Sequence, residues 1–215
     1  MNDEKGLICV VGNMFGGKTT RFGCMLSRYT HAEIKTQAFK VSWDDRYSVE
    51  DLRTLDGAVF TNVSTMAVPN SKDLIDRVND DTRVVGIDEI QFFDERIFPW
   101  VLEEMRKRLI LITGLQLDFR GNPFPLRSIQ GRNKDSIVTT GDFMSYASEI
   151  IQEFPVCTYK LNGETCGNRA IFIQRHRDDN SLSRYEDPTI VVGGVKNYRP
   201  RCLEHFVWPL PNQNS

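Results

Sequence analysis

The sequence has no long apolar run. The run near its start, residues 7–11, holds only five apolar residues, whereas a membrane-spanning helix needs about 18 or more. Five residues are also too few for the apolar core of a signal peptide, so they are typical of a first strand. We therefore expect a cytoplasmic protein, whose thiols are reduced.

The sequence also has no excess of basic charge. Its 27 Lys and Arg residues face 29 Asp and Glu residues, which gives a formal net charge of −2. Nucleic-acid-binding domains carry a basic patch, and segments that bind a membrane surface carry a block of Lys and Arg. The sequence shows neither feature, and we expect no nucleic acid and no membrane as a partner.

The cysteines do not suit a disulfide framework. There are five of them, and an odd number in a reducing compartment argues against paired thiols. Cys9 and Cys24 stand in apolar or helical surroundings, and we expect both to be buried.

What the sequence does contain is an alternation of short apolar runs and helical patterns. Buried strands that alternate with helices are typical of an α/β fold with a mostly parallel sheet. The clearest strand is residues 109–115, and the helix expected at residues 71–79 opens with Ser71 as its cap. The other predicted strands are residues 7–11, 37–43, a short one near 59, and 83–88, and the other helices are residues 19–29 and 96–108, with Pro99 in the first turn of the latter.

The character of the chain changes after about Gly121. Residues 120–142 are rich in Gly, Pro, Asn and Asp, which predicts a long loop or a partly ordered insertion. Residues 143–154 predict a further helix or a helix followed by a strand. From Cys157 onward, turn residues and metal-type ligands cluster, so we divide the chain into domains at residues 1–154 and 155–215.

The stretch GNMFGGKTT has the G-x-x-x-x-G-K-T spacing of a phosphate-binding loop, between a predicted strand and a predicted helix. Backbone N–H groups of such a loop face a phosphate chain, and the helix N-terminus adds positive potential. Lys18 would reach the outer phosphates of ATP, and the Thr19 hydroxyl would bind Mg²⁺. The predicted phosphate ligands are Gly12, Gly16, Gly17, Lys18, Thr19 and Thr20. We expect Phe15 to pack beneath the loop.

A second motif, VVGIDEIQFF, ends a predicted strand with Asp88 and Glu89. An acidic strand end is typical of the residue that holds Mg²⁺ in P-loop proteins. Because side chains alternate along a strand, the two carboxylates should point in different directions. One can support the metal while the other accepts a proton from a hydroxyl that attacks the γ-phosphate.

A third set of residues is suited to a metal. Cys202 and His205 have C-x-x-H spacing, and Cys157 and Cys166 flank a segment, TYKLNGET, whose centre could turn a hairpin. Three Cys and one His make a closed tetrahedral site, the kind that holds a structural Zn²⁺.

Five motifs in this order give the chain a resemblance to a known family: GNMFGGKTT, DDRYS (44–48), IDEIQFF, GLQLDFRGNPF (114–124) and IVVGGVKNYRPRCLEH (190–205). The chain resembles the thymidine kinases of the zinc-containing P-loop type. The resemblance implies a RecA-like parallel sheet and a small zinc domain with a lasso loop over the nucleoside. It also implies transfer of the ATP γ-phosphate to the 5′-hydroxyl of thymidine, a homotetramer or at least a dimer, and dTTP as a feedback inhibitor.

The resemblance also implies roles for single residues. Glu89 would be the catalytic base, and Asp88 would support Mg²⁺ together with Thr19. Asp44 would bind the deoxyribose 3′-hydroxyl, and Arg46 would lie near the phosphates. The base site would be walled by Phe92, Phe119 and Phe124, with Met14, Leu115 and Tyr198 around the thymine methyl group. The lasso, residues 189–198 with Val191 and Gly193, would bind the base through its backbone.

The sequence departs from the family pattern at three places. The segment from Phe124 to Cys157 is longer than the pattern, Gln116 stands where Asp is common, and Phe154 stands where a smaller residue is usual. If Phe154 pointed into the base pocket, deoxyuridine or a 5-substituted pyrimidine deoxynucleoside would be the alternative substrate. A RecA-like nucleic-acid-dependent ATPase and a nucleotide-binding regulator without turnover are the alternatives from other classes, and core packing is the alternative role for each Phe.

Overall fold

The computed structural model describes residues 4–42, 48–53, 57, 59–190 and 195–211. Four α-helices lie in these parts of the chain: α1 (Lys18–His31), α2 (Ser71–Ile75), α3 (Ile97–Glu104) and α4 (Thr140–Tyr146). The strands there are β1 (Gly6–Gly12), β2 (Thr36–Val41), β3 (Ser48–Arg53), β4 (Val59–Val68), β5 (Val84–Ile87), β6 (Leu109–Leu115), β7 (Pro125–Ser128), β8 (Gly131–Thr139), β9 (Glu149–Glu153), β10 (Lys160–Leu161), β11 (Glu164–Thr165), β12 (Phe172–Arg175) and β13 (Tyr198–Arg201). Within these residues, no helix has the length and apolar character needed to cross a membrane.

The central sheet has seven strands in the order β3-β4-β2-β5-β6-β1-β9. Only β3 runs antiparallel to its neighbour, and the other pairs are parallel. The predicted α/β fold with a mostly parallel sheet is therefore confirmed. Because parallel strands end at the same edge, the segments that follow β1, β5 and β6 meet there.

Each face of the sheet carries an apolar cluster. Side chains of β1 alternate between the two, with Leu7 and Cys9 in one cluster and Ile8 in the other. Cys9 is buried as predicted, but the prediction for Cys24 is wrong, because Cys24 is exposed. It lies on the outer side of α1, which buries Phe22, Gly23, Met25 and Leu26 instead.

The predicted cap of α2 is also wrong by one residue. Asn70, not Ser71, is the cap, and its side chain accepts a hydrogen bond from the Asp73 backbone N–H at 3.0 Å. Ser71 is buried, and its hydroxyl donates to the carbonyl of Asp94 at 3.0 Å. Pro99 lies in the first turn of α3, as predicted, where its missing N–H has no partner to lose.

The loop predicted for residues 120–142 is largely wrong, because β7 and β8 form an antiparallel hairpin. The backbone of β7 finds a partner outside the hairpin, since the Arg127 N–H donates to the Phe93 carbonyl at 3.1 Å. This contact between Arg127 and Phe93 joins residues far apart in the chain, so local composition does not reveal it. The helix-then-strand alternative for residues 143–154 is confirmed by α4 and β9.

After β9 the chain forms two small antiparallel sheets, β10–β11 and β12–β13. The first is a tight hairpin whose turn residues Asn162 and Gly163 both have positive φ, 52° and 88°. This is the backbone that a two-residue hairpin turn requires, and it confirms the predicted turn. The domain division at residues 154 and 155 stays a prediction.

Candidate functional site

The glycine-rich loop lies between the end of β1 and the start of α1. Its backbone packs closely on the backbone of Glu153 at the end of β9. A Cβ atom on Gly12 or on Gly16 would come within 1.9 Å or 2.2 Å of the Glu153 carbonyl oxygen. Both positions therefore need glycine, and the space beneath the loop is already filled by main chain.

This packing overturns the expectation for Phe15. The side chain is 44% exposed and does not pack beneath the loop, and its φ is 66°. Met14 is half-buried, and Thr19 is half-buried at the start of α1, while Thr20 is exposed. Lys18 is buried, with 6% of its surface exposed, and its Nζ donates to the Asn13 carbonyl at 3.0 Å. The ammonium group therefore faces the inside of the loop.

Asp88 and Glu89 follow β5, two strands away from β1 in the sheet, with β6 between them. Thr113 on β6 joins the two residues. Its hydroxyl donates to Asp88 Oδ1 at 2.6 Å and accepts from the Glu89 N–H at 2.8 Å. Glu89 has φ 52° and ψ 59°, so the chain leaves the extended conformation between the two acids.

The two carboxylates have different hydrogen-bond partners. Asp88 is buried and hydrogen-bonded to Thr113, whereas the Glu89 carboxylate accepts a hydrogen bond from the Gln91 side-chain amide. Gln91 is fully buried, and its Oε1 accepts from the Leu115 N–H at 3.2 Å. Thr113 and Gln91 were missed in the sequence, although Gln91 stands inside the IDEIQFF motif.

The pKa of Asp88 is raised to about 6. Burial is the largest cause and the negative charge of Glu89 adds to it, while the Thr113 hydrogen bond and the charges of Lys18 and Lys40 act in the opposite direction. An added cation favours the ionised form of a carboxyl group held in this way, because the cation replaces the hydration that burial removes. The residues present therefore fit a divalent metal ion.

The aromatic residues expected around the base differ in burial. Phe119 and Phe124 are buried at 4% and 6% exposure, and Phe92, Leu115 and Tyr198 are half-buried. The Phe119 ring is covered by two guanidinium groups, Arg175 at 3.6 Å and Arg120 at 4.2 Å from its centroid. Four predicted site residues, Asp44, Arg46, Val191 and Gly193, lie outside the described residues.

Phe154 is half-buried and its ring lies under another guanidinium. Arg169 stands 4.3 Å from the ring centroid. A cation over the face of an aromatic ring is a favourable arrangement, and Phe154 thus has a partner of its own in the second half of the chain.

The predicted metal ligands come together. Candidate donor atoms of Cys157, Cys166, Cys202 and His205 all lie within 4.8 Å of one another. His205 Nδ1 is 3.2 Å from Cys202 Sγ and 3.7 Å from Cys157 Sγ, and the Cys166 and Cys202 sulfurs are 3.9 Å apart. Tetrahedral zinc bonds imply separations of about 3.6 Å between S and N and about 3.8 Å between two sulfurs, so the set fits a zinc ion.

Local backbone structure explains how these four ligands meet. The β10–β11 hairpin returns the chain from Cys157 to Cys166, and the Cys166 N–H donates to the Tyr159 carbonyl at 2.8 Å. Burial raises the pKa of the Cys157 thiol, but N–H groups of Cys202 and Tyr159 donate to its sulfur, and the net pKa is lowered to about 7. Since the thiolate is the metal-binding form, this environment prepares a ligand.

The glycine-rich loop with its buried lysine, and the acidic strand end on the same edge of a parallel sheet, define a P-loop α/β protein. Residues 6–206 match the family model described as thymidine kinase. The chain is 32% identical over 206 residues to the thymidine kinase of Pyrobaculum aerophilum, covering 94% of this chain and 99% of that protein. It is 33% identical over 201 residues to the thymidine kinase of Coprothermobacter proteolyticus, covering 93% of this chain and 89% of that protein. The chain belongs to the thymidine kinase family.

Proposed function

We propose that this protein is a thymidine kinase that transfers the γ-phosphate of ATP to the 5′-hydroxyl of thymidine and yields dTMP for DNA precursor synthesis. Family membership across residues 6–206 supports the substrates. The observation that supports the chemistry is the Thr113 hydroxyl, which bonds to both the Asp88 carboxylate and the Glu89 backbone N–H at the same sheet edge as the glycine-rich loop. The nucleic-acid-dependent ATPase and the regulator without turnover are not favoured by any of these findings.

The phosphate donor would lie along the glycine-rich loop. The N–H groups from Gly16 to Thr20 and the N-terminus of α1 would bind the ATP phosphates, and Lys18 would turn from the Asn13 carbonyl toward them. Thr19 and Asp88 would hold Mg²⁺, which when bound neutralises charge on the phosphate oxygens. The buried Asp88 carboxylate, with its raised pKa, is the observation that supports this assignment.

Glu89 would act as the catalytic base. Its carboxylate would accept the proton of the thymidine 5′-hydroxyl while the bond from that oxygen to the γ-phosphorus forms and the bond from phosphorus to the ADP oxygen breaks. Gln91 would orient the carboxylate through its amide N–H. The base is therefore held by a buried side chain that is itself bonded to the Leu115 N–H.

The nucleoside would lie between the loop and the second half of the chain. Phe92, Phe119 and Phe124 would wall the base, with Met14, Leu115 and Tyr198 around the methyl group. Asp44, Arg46, Val191 and Gly193 keep their roles as predictions. Thymidine is proposed over deoxyuridine and 5-substituted analogues, because the family model and both relatives are described as thymidine kinase.

Four further properties complete the proposal. The cluster of Cys157, Cys166, Cys202 and His205 would bind a structural Zn²⁺ and stabilise the fold of residues 155–215. The homotetramer, inhibition by dTTP and a cytoplasmic location rest on the resemblance to the family.

The test is transfer of labelled γ-phosphate from ATP to thymidine, with deoxyuridine, 5-substituted deoxyuridines and deoxycytidine as competing acceptors. We expect labelled dTMP that depends on Mg²⁺, and the highest kcat/KM for thymidine. Absence of transfer to any deoxynucleoside contradicts the proposal, and a higher kcat/KM for deoxyuridine contradicts the choice of substrate.

A further inference from the structure

The hairpin β7–β8 is fixed to the segment that follows Glu89. The Arg127 N–H donates to the Phe93 carbonyl at 3.1 Å, and the Arg127 guanidinium donates to the Phe92 carbonyl at 3.1 Å. Asp94 and Arg127 also form a parallel bridge. The hairpin is therefore anchored to the chain next to the proposed base.

The opposite strand of the hairpin contacts Thr189. Asp135 Oδ2 on β8 accepts a hydrogen bond from Thr189 Oγ1 at 2.5 Å, and Arg120 Nη1 donates to the same hydroxyl at 3.1 Å. A hydroxyl has one proton, so it can donate to the carboxylate and still accept from the guanidinium. Both bonds involve a charged group, which makes them stronger than neutral ones.

Arg120 is itself held in one position. Its Nη1 donates to Asp118 Oδ2 at 2.8 Å, its Nε donates to the Tyr185 carbonyl at 2.6 Å, and its Nη2 donates to the Asp187 carbonyl at 2.5 Å. Asp118 is buried at 4% exposure. The Arg120 guanidinium that donates to the Thr189 hydroxyl is thus held in place, and Asp135 is the acceptor on the other side of the same hydroxyl.

The backbone at Thr189 is fixed as well. Arg175, only 3% exposed, donates from Nη1 to the Pro188 carbonyl at 2.6 Å and to the Thr189 carbonyl at 3.3 Å. Thr189 is 8% exposed and begins the segment 189–198, the proposed nucleoside-binding lasso. Its side chain and its carbonyl group are therefore both held in place at the residue where that segment begins.

We propose that Asp135 is a positioning residue for nucleoside binding, which acts through Thr189 to hold the start of segment 189–198 against the Glu89 side of the site. This inference rests on the proposed function. The effect of Asp135 would reach the nucleoside through a contact between residues 54 positions apart. The ATP phosphates are proposed to bind the glycine-rich loop instead, so the effect should fall on the nucleoside alone.

Steady-state kinetics of Asp135→Ala, Asp135→Asn and the exposed neighbour Lys134→Ala test the proposal. We expect Asp135→Ala to raise KM for thymidine about tenfold, as the loss of a partly exposed charged hydrogen bond would, with KM for ATP and kcat within about twofold. Asp135→Asn keeps an acceptor oxygen and should raise KM for thymidine only about threefold. Lys134→Ala should match the wild type. An unchanged KM for thymidine in Asp135→Ala, or an equal rise in both KM values, overturns the proposal.

A double-mutant cycle identifies Thr189 as the intermediary. Thr189→Val keeps the shape but removes the hydroxyl and with it the bonds to both Asp135 and Arg120, so its effect on KM for thymidine should be at least as large as that of Asp135→Ala. The double variant should be little worse than Thr189→Val alone, because the contact of Asp135 with Thr189 is already lost in that variant. Additive effects would show that Asp135 acts by another route.

Limited trypsin cleavage provides a readout that does not depend on turnover. Lys196 is exposed within segment 189–198, and mass spectrometry can follow cleavage after it. We expect faster cleavage after Lys196 in Asp135→Ala than in the wild type and Lys134→Ala. A wild type that phosphorylates no nucleoside contradicts the proposed function, whereas equal cleavage rates contradict the positioning role of Asp135.

Discussion

Replacing Asp88 with Asn should make the nucleotide-free protein more stable relative to the wild type as pH rises, and it should remove magnesium-dependent activity. The Asp88 carboxylate is buried, and its pKa is raised from 3.8 to about 6, first by burial and then by the charge of Glu89. One pKa unit corresponds to about 1.4 kcal/mol, so the ionised form costs the folded state at most about 3 kcal/mol. The amide oxygen of the introduced asparagine can still accept the Thr113 hydrogen bond.

Proton linkage gives the direction in which the stability changes with pH. The folded chain binds this proton more tightly than the unfolded chain, so the stability due to Asp88 falls as pH rises above about 4, and the loss is nearly complete by about pH 7. Asn does not titrate. The stability of Asp88→Asn relative to the wild type should therefore be about 1.4 kcal/mol greater at pH 8 than at pH 5. An unpaired amide N–H₂ group in the variant costs about 1–3 kcal/mol, but that cost is the same at both pH values and cancels in the comparison.

Urea denaturation of both proteins in Mg²⁺-free buffer at pH 5 and pH 8 measures this difference. Asp94→Asn is the matched control, because the same replacement at this position should lower the free energy of unfolding. Burial raises the pKa of Asp94, but hydrogen bonds from Arg96 and from the Ser71 N–H lower it below its usual value. Asp94→Asn should destabilise the protein to a similar extent at both pH values, since its carboxylate is ionised in both.

Two results would refute the reasoning about Asp88. One is a relative stability of Asp88→Asn that is the same at pH 5 and pH 8, and the other is a change in the opposite direction. Addition of Mg²⁺ and ATP should stabilise the wild type more than the variant, because the variant lacks the proposed metal ligand. A variant with wild-type kcat/KM would show that Asp88 does not support the metal.

Three further predictions concern Glu89 and the cysteines. Glu89→Gln should lower kcat for thymidine phosphorylation by about 10²–10⁴ and leave KM within a few-fold, and a wild-type kcat would exclude Glu89 as the base. Cys202→Ser should lose the bound zinc, as measured by elemental analysis, and should lower Tm. Cys24→Ser should change neither the zinc content nor Tm. Full zinc content in Cys202→Ser would exclude the site. A thiol reagent should modify exposed Cys24 in the native protein much faster than Cys9, whose burial raises its pKa to about 12, and equal rates would contradict the assigned burial.

Many features of the fold followed from short-range patterns. The glycine-rich motif was predicted to lie between a strand and a helix, and the apolar run at residues 109–115 predicted both ends of β6. Such features depend on contacts within one element or one turn, so neighbouring residues specify them. The turn at Asn162 and Gly163 belongs to the same class, since the conformation of two residues decides it.

Burial of single side chains was harder to predict, because it depends on what packs against an element. Cys24 is exposed because α1 turns its other side to the sheet. Phe15 is exposed because the Glu153 backbone occupies the space beneath the loop. For Phe15 the deciding neighbour lies on a distant strand, and no pattern near the residue identifies it, whereas the helical spacing of Phe22, Met25 and Leu26 marks the buried side of α1 and leaves Cys24 off it.

By itself, the sequence determined the glycine-rich loop, the acidic strand end and the types of candidate metal ligand, since each is encoded by spacing within a short segment. Only the tertiary structure decided that Thr113 joins Asp88 to Glu89 from 25 residues away, and that Cys157 reaches His205, 48 residues further on. It also decided that residues 125–139 form a hairpin with Asp135 beside Thr189. These contacts depend on the order of strands in the sheet and on packing between segments, which local sequence patterns do not specify.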